Sequence, residues 1–256
     1  MSLRRTIGRT RQSLALNGLD LGRVASSAKA VGPFLRERRS FRAAPGGTAW
    51  PMTALPVLAD RGEEAGIAGD QYFQQDLHVA KLVLAADPVR HVDVGSRIDG
   101  FIAHLLLFRA VEVVDVRPLT STVEGLTFVQ GDGTTLDGFP DGSVPSLSSL
   151  HAVEHFGLGR YGDPIDPLGS EKALGAYQRV LAPGGRLYLS VPVGRRRIEF
   201  NAHRVFDPSD PVDLLGELRL ERFDGIDDDG RFLADTEPAA LAGNEYGLGI
   251  YTFARG

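Results

Sequence analysis

Three histidines and one glutamate carry the side chains of this sequence that are best suited to proton transfer. His151 and His155 are four residues apart with Glu154 between them, and His203 lies in a later loop. Histidine titrates near neutral pH, so each of the three can act as a general base toward a hydroxyl group. We rank His151 first, then His155, then His203, because His151 is predicted to end a strand at the ligand-binding edge. A purely structural histidine stays an open alternative for each.

A metal site is a weaker interpretation of the same residues. On one helix, His151 and His155 would share a face, and His203 or Asp163 would complete a set of ligands with Glu154. We expect His151 to lie at a strand end instead, and so we expect no metal.

A second group of residues stands at the ends of three successive predicted strands. The first strand delivers Asp93, Gly95 and Ser96 at its carboxyl end, the second ends at Asp115, and the third ends at Asp132. A glycine turn allows close approach of a ligand, and an acid about 20 residues later is typical of ribose binding. Asp132 would accept from the exocyclic amine of adenine. The pattern predicts a nucleoside site, with helix capping or strand-end solvation as the alternative for Asp93 and Asp115.

A glycine-rich loop, residues 156–169, is long for a compact domain and carries Arg160, Tyr161 and Asp163. Loops of this length are usually functional, and these polar groups suit sugar hydroxyls. We interpret the loop as a substrate lid.

Three consecutive arginines, residues 195–197, follow the predicted fifth strand, and Asn201 lies shortly after them. Arg196 and Asn201 are candidate contacts to the phosphate or polar groups of a substrate. The alternative is a solvated run of charge.

Strands and helices alternate along the chain from Asp70, which predicts an α/β fold with a mainly parallel sheet covered on both faces. One helix is predicted to begin at Asp70 and end before Pro88, with Phe73, Leu77, Ala80 and Leu84 as its apolar face. The remaining predicted elements are strands at 89–95, 111–116, 126–132, 143–150 and 186–193, helices at 101–108 and 171–181, and a terminal strand pair.

Charge is distributed unevenly over the 256 residues. Residues 1–42 hold ten basic and two acidic side chains, whereas the remainder holds 18 basic and 31 acidic ones. An acidic body argues against nucleic-acid binding across the fold. We assign residues 1–69 to a basic extension and linker, with a short helix at 12–31, and residues 70–256 to the main domain. The extension is either a solvated arm or a contact to a membrane surface or partner.

The sequence has no cysteine, which excludes disulfides, thiolate metal sites and a cysteine nucleophile. It also lacks an apolar run long enough for a transmembrane helix and a secretory signal segment. We therefore expect a cytoplasmic protein.

Several motifs carry a resemblance to known families. The order VDVGS, GD, FPDGSVPSLSSLHAVEH and RVLAPGGRLYLSVP resembles the class I S-adenosylmethionine-dependent methyltransferases. More narrowly, HVDVGSRIDGFIAHLL, SLSSLHAVEHFGLGRYGDPIDPLG and FNAHRVF resemble a bacterial family of uncharacterised domains, DUF268. The resemblance covers roughly residues 70–255. It implies a Rossmann-like, seven-stranded sheet and S-adenosylmethionine as the cofactor.

The sequence departs from the methyltransferase pattern at two places. Arg97 and Asp99 stand where glycines are expected after Gly95, and their side chains would crowd the methionine part of the cofactor. Pro145 stands where many such enzymes begin the fourth strand with aspartate.

These observations lead to one main hypothesis and two alternatives. The main one is O-methylation of a small polar acceptor such as a sugar or glycan precursor. The first alternative is a methyltransferase-like binding or scaffold protein without catalysis. The second is a nicotinamide-dependent oxidoreductase, which the missing G-x-G-x-x-G spacing disfavours.

Overall fold

The computed structural model describes residues 18–59 and 68–256. Residues from Ala68 to Gly256 form one compact unit, and those before Ala68 form another. In the first unit, helix α1 spans Leu21–Ala43, begins after the capping residue Asp20 and contains Pro33. Of the helix predicted at 12–31, residues 12–17 lie outside the described residues, residues 18–20 precede the helix, and α1 extends beyond residue 31 to Ala43. None of the helices in the described ranges is long and apolar enough to cross a membrane.

The strands of the second unit are numbered in chain order. They are β1 (Val92–Val94), β2 (Val111–Asp115), β3 (Leu126–Gln130), β4 (Val144–Leu150), β5 (Leu181–Val193), β6 (Arg197–Glu199), β7 (His203–Val205), β8 (Arg219–Ile226), β9 (Phe232–Leu233) and β10 (Gly247–Ala254).

Eight of these strands form one sheet with the order β3-β2-β1-β4-β5-β10-β8-β9. Strands β1 to β5 are parallel, and β10 pairs antiparallel with both β5 and β8. A separate antiparallel hairpin pairs β6 with β7. The predicted α/β fold with a mainly parallel sheet is confirmed, with eight strands instead of seven.

Helices cover both faces of this sheet. They are α2 (Gln71–Ala86), α3 (Ala103–Leu105), α4 (Gly169–Val180) and α5 (Asp210–Leu214), with short 3-10 turns at Val153–His155 and Pro238–Leu241. The regular helix predicted at 101–108 is wrong, because a π-helical turn at Ile98–Ile102 leads directly into the short α3. Pro145 lies in β4, and the pairing register with β5 shifts between Val144 and Ser146.

Helix α2 has the predicted position, but two of the four residues of its predicted apolar face are exposed. Phe73 and Leu84 are 46% and 52% exposed, while Gln75 and Asp76 are buried. Gln75 accepts a hydrogen bond from the Ser190 hydroxyl of β5, and donates to Asp76 at 2.8 Å. The buried side of the helix therefore combines apolar residues with two polar ones.

A buried carboxylate, Asp93, holds the turn after β1 in place. Its Oδ1 accepts the Ser96 N–H at 3.0 Å, and its Oδ2 accepts the hydroxyls of Ser96 at 2.6 Å and Ser148 at 2.5 Å. The Ser96 hydroxyl oxygen accepts the Leu150 N–H at 2.9 Å. Ser148 and Leu150 belong to β4, so one carboxylate ties the turn after β1 to the neighbouring strand.

The hydrogen-bond network of Asp93 extends to His91, which lies between two serines of β4. Its Nε2 is 3.0 Å from Ser148 Oγ and its Nδ1 is 2.8 Å from Ser146 Oγ. Because the Ser148 hydroxyl donates to Asp93, His91 donates from Nε2 and accepts at Nδ1. Burial lowers the pKa of His91 to about 3 and raises the pKa of Asp93 to about 6. His91 is therefore neutral at pH 7.

We expect the stability of the fold to depend on pH through Asp93. Its pKa is about 6 in the folded chain against an ordinary value of 3.8, so folding strengthens proton binding. The contribution to stability is complete below about pH 4 and is lost as the pH rises through about 6. The shift corresponds to about 2–3 kcal/mol.

The neutral replacement Asp93→Asn removes this dependence. We compare the free energies of unfolding of the native chain and of the variant. The native chain's advantage over the variant should fall by about 2–3 kcal/mol between about pH 4 and pH 7. Urea unfolding across this range measures it, with Asp137→Asn, a change at an exposed carboxylate, as the control. Parallel profiles for the native chain and Asp93→Asn would contradict the assignment.

Candidate active site

A cleft of about 880 Å³, open to solvent, lies at the carboxyl ends of β1, β2, β3 and β4. This is the edge where ligands bind in open α/β sheets. Its wall combines strand ends, the segment after β4 and the loop 156–169. The lining includes Gly95, Asp115, Arg117, Asp132, Gly133, Thr134, His151, Ala152, His155, Phe156, Tyr161 and Asp163.

Gly95 forms the turn that brings backbone to the cleft wall. Its φ of +77° belongs to the left-handed region, and a Cβ there would lie 2.9 Å from the Cβ of Ala152. Arg97 and Asp99 pair with each other, with Nη2 and Oδ2 2.9 Å apart, and their side chains are 58% and 75% exposed. Neither lines the cleft. The expected crowding at these two positions is therefore wrong.

Asp115 ends β2 at the cleft wall, as predicted, and its carboxylate is bonded to Arg117. Oδ1 accepts from Arg117 N at 2.8 Å and Nε at 2.9 Å, and Oδ2 accepts from Nη2 at 2.6 Å. The guanidinium carbon of Arg117 lies 4.6 Å from the centre of the Tyr161 ring. The carboxylate, the guanidinium and the ring thus form one stack along the cleft.

Asp132 also lies at the cleft. Its Oδ1 accepts two hydrogen bonds from Thr134, one from the backbone N–H at 2.8 Å and one from the side-chain hydroxyl at 2.7 Å. Asp93 and Ser96, by contrast, are buried and do not line the cleft. Of the five residues predicted to bind a cofactor, Gly95, Asp115 and Asp132 are at the cleft, and the other two position the turn.

His151 follows β4 in a left-handed conformation, with a φ of +51°. A non-glycine residue in this region is strained, and such strain is typical of functional sites. The His151 Nδ1 lies 2.8 Å from Oε1 of Glu154, and the side chains are 3% and 1% exposed. Burial alone would raise the pKa of Glu154, but the hydrogen bond from His151 and the nearby histidine charges outweigh it and lower that pKa. Glu154 is therefore ionised beside His151.

His155 and His203 have other surroundings. His155 lines the cleft and donates from Nδ1 to the Ala202 carbonyl at 2.7 Å. His203 packs on the Tyr246 ring at 5.0 Å and does not line the cleft. Burial lowers the pKa of both histidines. Within the described ranges, no group of three or more His, Asp or Glu residues could hold a metal ion.

The loop 156–169 covers one side of the cleft, and Asp163 organises it from within. Asp163 Oδ2 accepts the N–H groups of Gly157 at 3.0 Å and Gly159 at 3.2 Å, and Oδ1 accepts that of Tyr161 at 3.1 Å. Arg160 donates to the Ala202 carbonyl of the hairpin at 2.9 Å. Of the residues predicted to bind substrate, Tyr161 and Asp163 line the cleft, and Arg160 does not.

Arg204, on β7, joins the loop to the hairpin. Its buried guanidinium donates to the carbonyls of Phe156 at 2.6 Å and Pro167 at 3.1 Å, with longer contacts to those of Glu154 and Asp166. These groups sit at both ends of the loop. One side chain therefore ties both ends of the loop to the β6–β7 hairpin. We call the loop 156–169 and this hairpin together the cap.

Arg196 and Asn201 are not brought to the histidines. Arg196 forms a two-pronged ion pair with Asp210 and lines a second cleft of about 1180 Å³ with Arg204, Phe206 and α5. Asn201 is exposed at the hairpin turn and lines neither cleft.

Three residues of the site were missed from the sequence. Arg117 is two positions from the predicted Asp115, and that proximity was its only signal. Tyr72 stacks on His151 with ring centres 4.5 Å apart, yet it comes from α2, 79 positions earlier. Arg204 binds carbonyls across the chain, and its role has no signature in the sequence.

Comparisons with known proteins bear on this arrangement. A family model described as "Caenorhabditis protein of unknown function, DUF268" matches residues 142–219, which confirms the DUF268 resemblance over that stretch. The description names Caenorhabditis, and so it does not support the expectation that the family is bacterial. A search of curated proteins found no match.

Solved structures share the architecture. The N-methyltransferase NodS from Bradyrhizobium japonicum WM9, in complex with S-adenosyl-L-homocysteine, is 12% identical with a TM-score of 0.52, and the match covers 87% of this chain and 98% of that one. The [4+2]-cyclase SpnF is 17% identical with a TM-score of 0.51, covering 73% of this chain and 83% of that one. At these identities the likeness shows the fold, and it confirms the predicted Rossmann-like class.

Arg204→Lys tests the cap. Lysine keeps the charge but lacks the planar fork that reaches several carbonyls at once. We expect a loss of about 1–3 kcal/mol in the free energy of unfolding. Amide hydrogen exchange should also accelerate across residues 156–168. Arg195→Lys, an exposed position nearby, is the matched control, and unchanged exchange in Arg204→Lys would rule out the clamp.

Proposed function

We propose that this chain is an S-adenosylmethionine-dependent methyltransferase that transfers the methyl group to a hydroxyl of a small polar acceptor, such as a sugar or glycan precursor. One observation carries the proposal. Gly95, Asp115 and Asp132 from three successive strand ends line the same cleft as His151, so a nucleoside site and a candidate base share one space. The likeness to an N-methyltransferase with bound S-adenosyl-L-homocysteine supports the choice of cofactor.

The residues present fit this cofactor. Asp115 would accept from the ribose hydroxyls, because each carboxylate oxygen can accept more than one hydrogen bond beside Arg117. Asp132 would accept from the adenine amine, and Gly95 keeps the wall open for the chain of the cofactor. When bound, the cofactor supplies an electrophilic methyl group on a sulfonium centre.

The acceptor side of the proposal rests on the histidines. His151 would take the hydroxyl proton, because it lines the cleft and its ring is oriented by the ionised Glu154. His155 ranks below it, since its Nδ1 is already bonded to the Ala202 carbonyl. His203 ranks third because it does not line the cleft. Tyr161 and Asp163 stay the proposed substrate contacts, and Arg160, Arg196 and Asn201 are secondary.

A binding protein without catalysis is the second candidate. It is favoured because polar groups that would bind the cofactor are already bonded to other protein groups. Above all, Asp115 accepts three hydrogen bonds from Arg117. This candidate predicts that the chain does not bind S-adenosyl-L-homocysteine, and that changes in the cap, not at His151, abolish binding of a partner.

Two further predictions from the sequence stay proposals. The basic residues 1–42 would contact an anionic membrane surface or a partner, and the chain would act in the cytoplasm. Vesicle flotation of the full chain, with and without residues 1–42, tests the first.

S-adenosyl-L-homocysteine should raise the melting temperature of the full chain. A ligand at about 100 times its dissociation constant adds roughly 2.7 kcal/mol, which corresponds to about 5–10 °C at this size. Differential scanning fluorimetry measures the shift, with the nicotinamide dinucleotide as a control ligand that should give none.

Asp115→Ala should abolish most of this shift, because the ribose hydroxyls lose their acceptor. Asp137→Ala, which removes an exposed carboxylate outside the cleft, should keep it. No shift in the native chain at any concentration up to saturation would overturn the cofactor assignment and favour the binding protein.

A further inference from the structure

Buried polar atoms without a hydrogen-bond partner are concentrated next to His151. Among the described residues seven such side-chain atoms occur, and three of them are His151 Nε2, Glu154 Oε2 and His203 Nε2. Buried polar groups are almost always paired, so each unpaired one calls for an explanation. The nearest acid to His203 Nε2, Glu199, is 3.7 Å away, which is too far for a hydrogen bond.

The pairing of His151 with Glu154 fixes what its other nitrogen can do. A carboxylate only accepts hydrogen bonds, so the proton lies on Nδ1 of His151, 2.8 Å from Glu154 Oε1. Nε2 then holds a lone pair and can accept a proton. The same Oε1 is 3.6 Å from His155 Nε2, so the contacts of the carboxylate converge on one oxygen. Oε2 is left as a second buried acceptor.

Aromatic rings flank both histidines of this cluster. Tyr72 of α2 lies on His151, with ring centres 4.5 Å apart, and Tyr246 lies on His203 at 5.0 Å. Burial raises the pKa of Tyr72 to about 12, so its hydroxyl stays protonated at neutral pH.

We propose that Glu154 is the positioning residue that holds His151 in the Nδ1–H tautomer, and that the unpaired Nε2 of His151 forms, at the cleft, the subsite for the hydroxyl of the acceptor. This proposal rests on the proposed function. The hydroxyl oxygen forms a bond to the methyl carbon while the carbon–sulfur bond breaks, and its electron pair stays on sulfur as a neutral thioether. The hydroxyl proton passes to His151 Nε2, and the imidazolium is stabilised by Glu154.

Other charged groups also surround His151. Asp76 of α2 and His155 interact with it electrostatically, and Arg97 lies over the Tyr72 ring with its guanidinium carbon 5.6 Å from the ring centre. Among the described residues, Glu154 is the carboxylate within hydrogen-bond distance of His151. Its replacement by an amide therefore removes the acceptor that fixes the Nδ1 proton.

Histidine-selective ¹⁵N NMR of the full chain tests the positioning role without a known acceptor, with His151 assigned by His151→Gln. The native chain should show His151 as the Nδ1–H tautomer. In Glu154→Gln the preference for the Nδ1–H tautomer should weaken, because an amide is no longer a group that only accepts hydrogen bonds. Glu124→Gln, at an exposed site, should leave the tautomer ratio unchanged. An Nε2–H tautomer in the native chain, or an unchanged tautomer ratio in Glu154→Gln, would overturn the role.

The native tautomer needs no variant, so the test holds even if Glu154→Gln does not fold. S-adenosyl-L-homocysteine binding is measured on the same samples and should survive in Glu154→Gln. If the native chain does not bind S-adenosyl-L-homocysteine, the proposed function is refuted. If it binds but His151 is the Nε2–H tautomer, only the role of Glu154 is refuted.

The hydroxyl subsite is tested by titrating the protein, loaded with S-adenosyl-L-homocysteine, with two hydroxyl probes, catechol and methyl glucoside. At least one should shift the His151 Nε2 signal, and veratrole, the dimethyl ether of catechol, should not. A shift by veratrole equal to that of catechol, or none by either hydroxyl probe, would overturn the subsite.

Discussion

The buried carboxylate of Asp93 sets the geometry on which both halves of the cleft depend. It fixes Ser96 through two hydrogen bonds, and Ser96 in turn holds the backbone of Leu150, the last residue of β4. The glycine turn on one side of the cleft and the strained His151 on the other therefore share one anchor. A charge inside a sheet is costly, and here three donors offset the cost.

Polar side chains at the cleft differ in how much of their hydrogen-bonding capacity is already used. Asp163 lines the cleft, and three backbone N–H groups of its own loop engage its carboxylate. His151 lines the same cleft and has a buried nitrogen with no partner. Asp163 therefore has a structural role in its loop whether or not a ligand is bound, whereas the structure gives His151 Nε2 no partner of its own.

The sequence was sufficient for the order of strands and helices and for the edge at which the cleft forms. Gly95, Asp115 and Asp132 were predictable because parallel strands bring their carboxyl ends to one edge, whatever the details of packing. The burial of Gln75 in α2 was not predictable, because its partner Ser190 lies 115 positions later. The stacking of Tyr72 on His151 depends on tertiary packing in the same way. Local patterns describe strand ends well, and they carry no information about such long-range polar contacts.

The two segments of the cap are separated along the chain by part of the sheet. The loop ends at residue 169 and the hairpin begins at Arg197, and α4 and the central strand β5 lie between them. Arg204 nevertheless binds carbonyls at both ends of the loop. Sequence change that reshapes this side of the cleft is therefore confined to two short segments that one arginine must still join, while the strand between them keeps its place in the core.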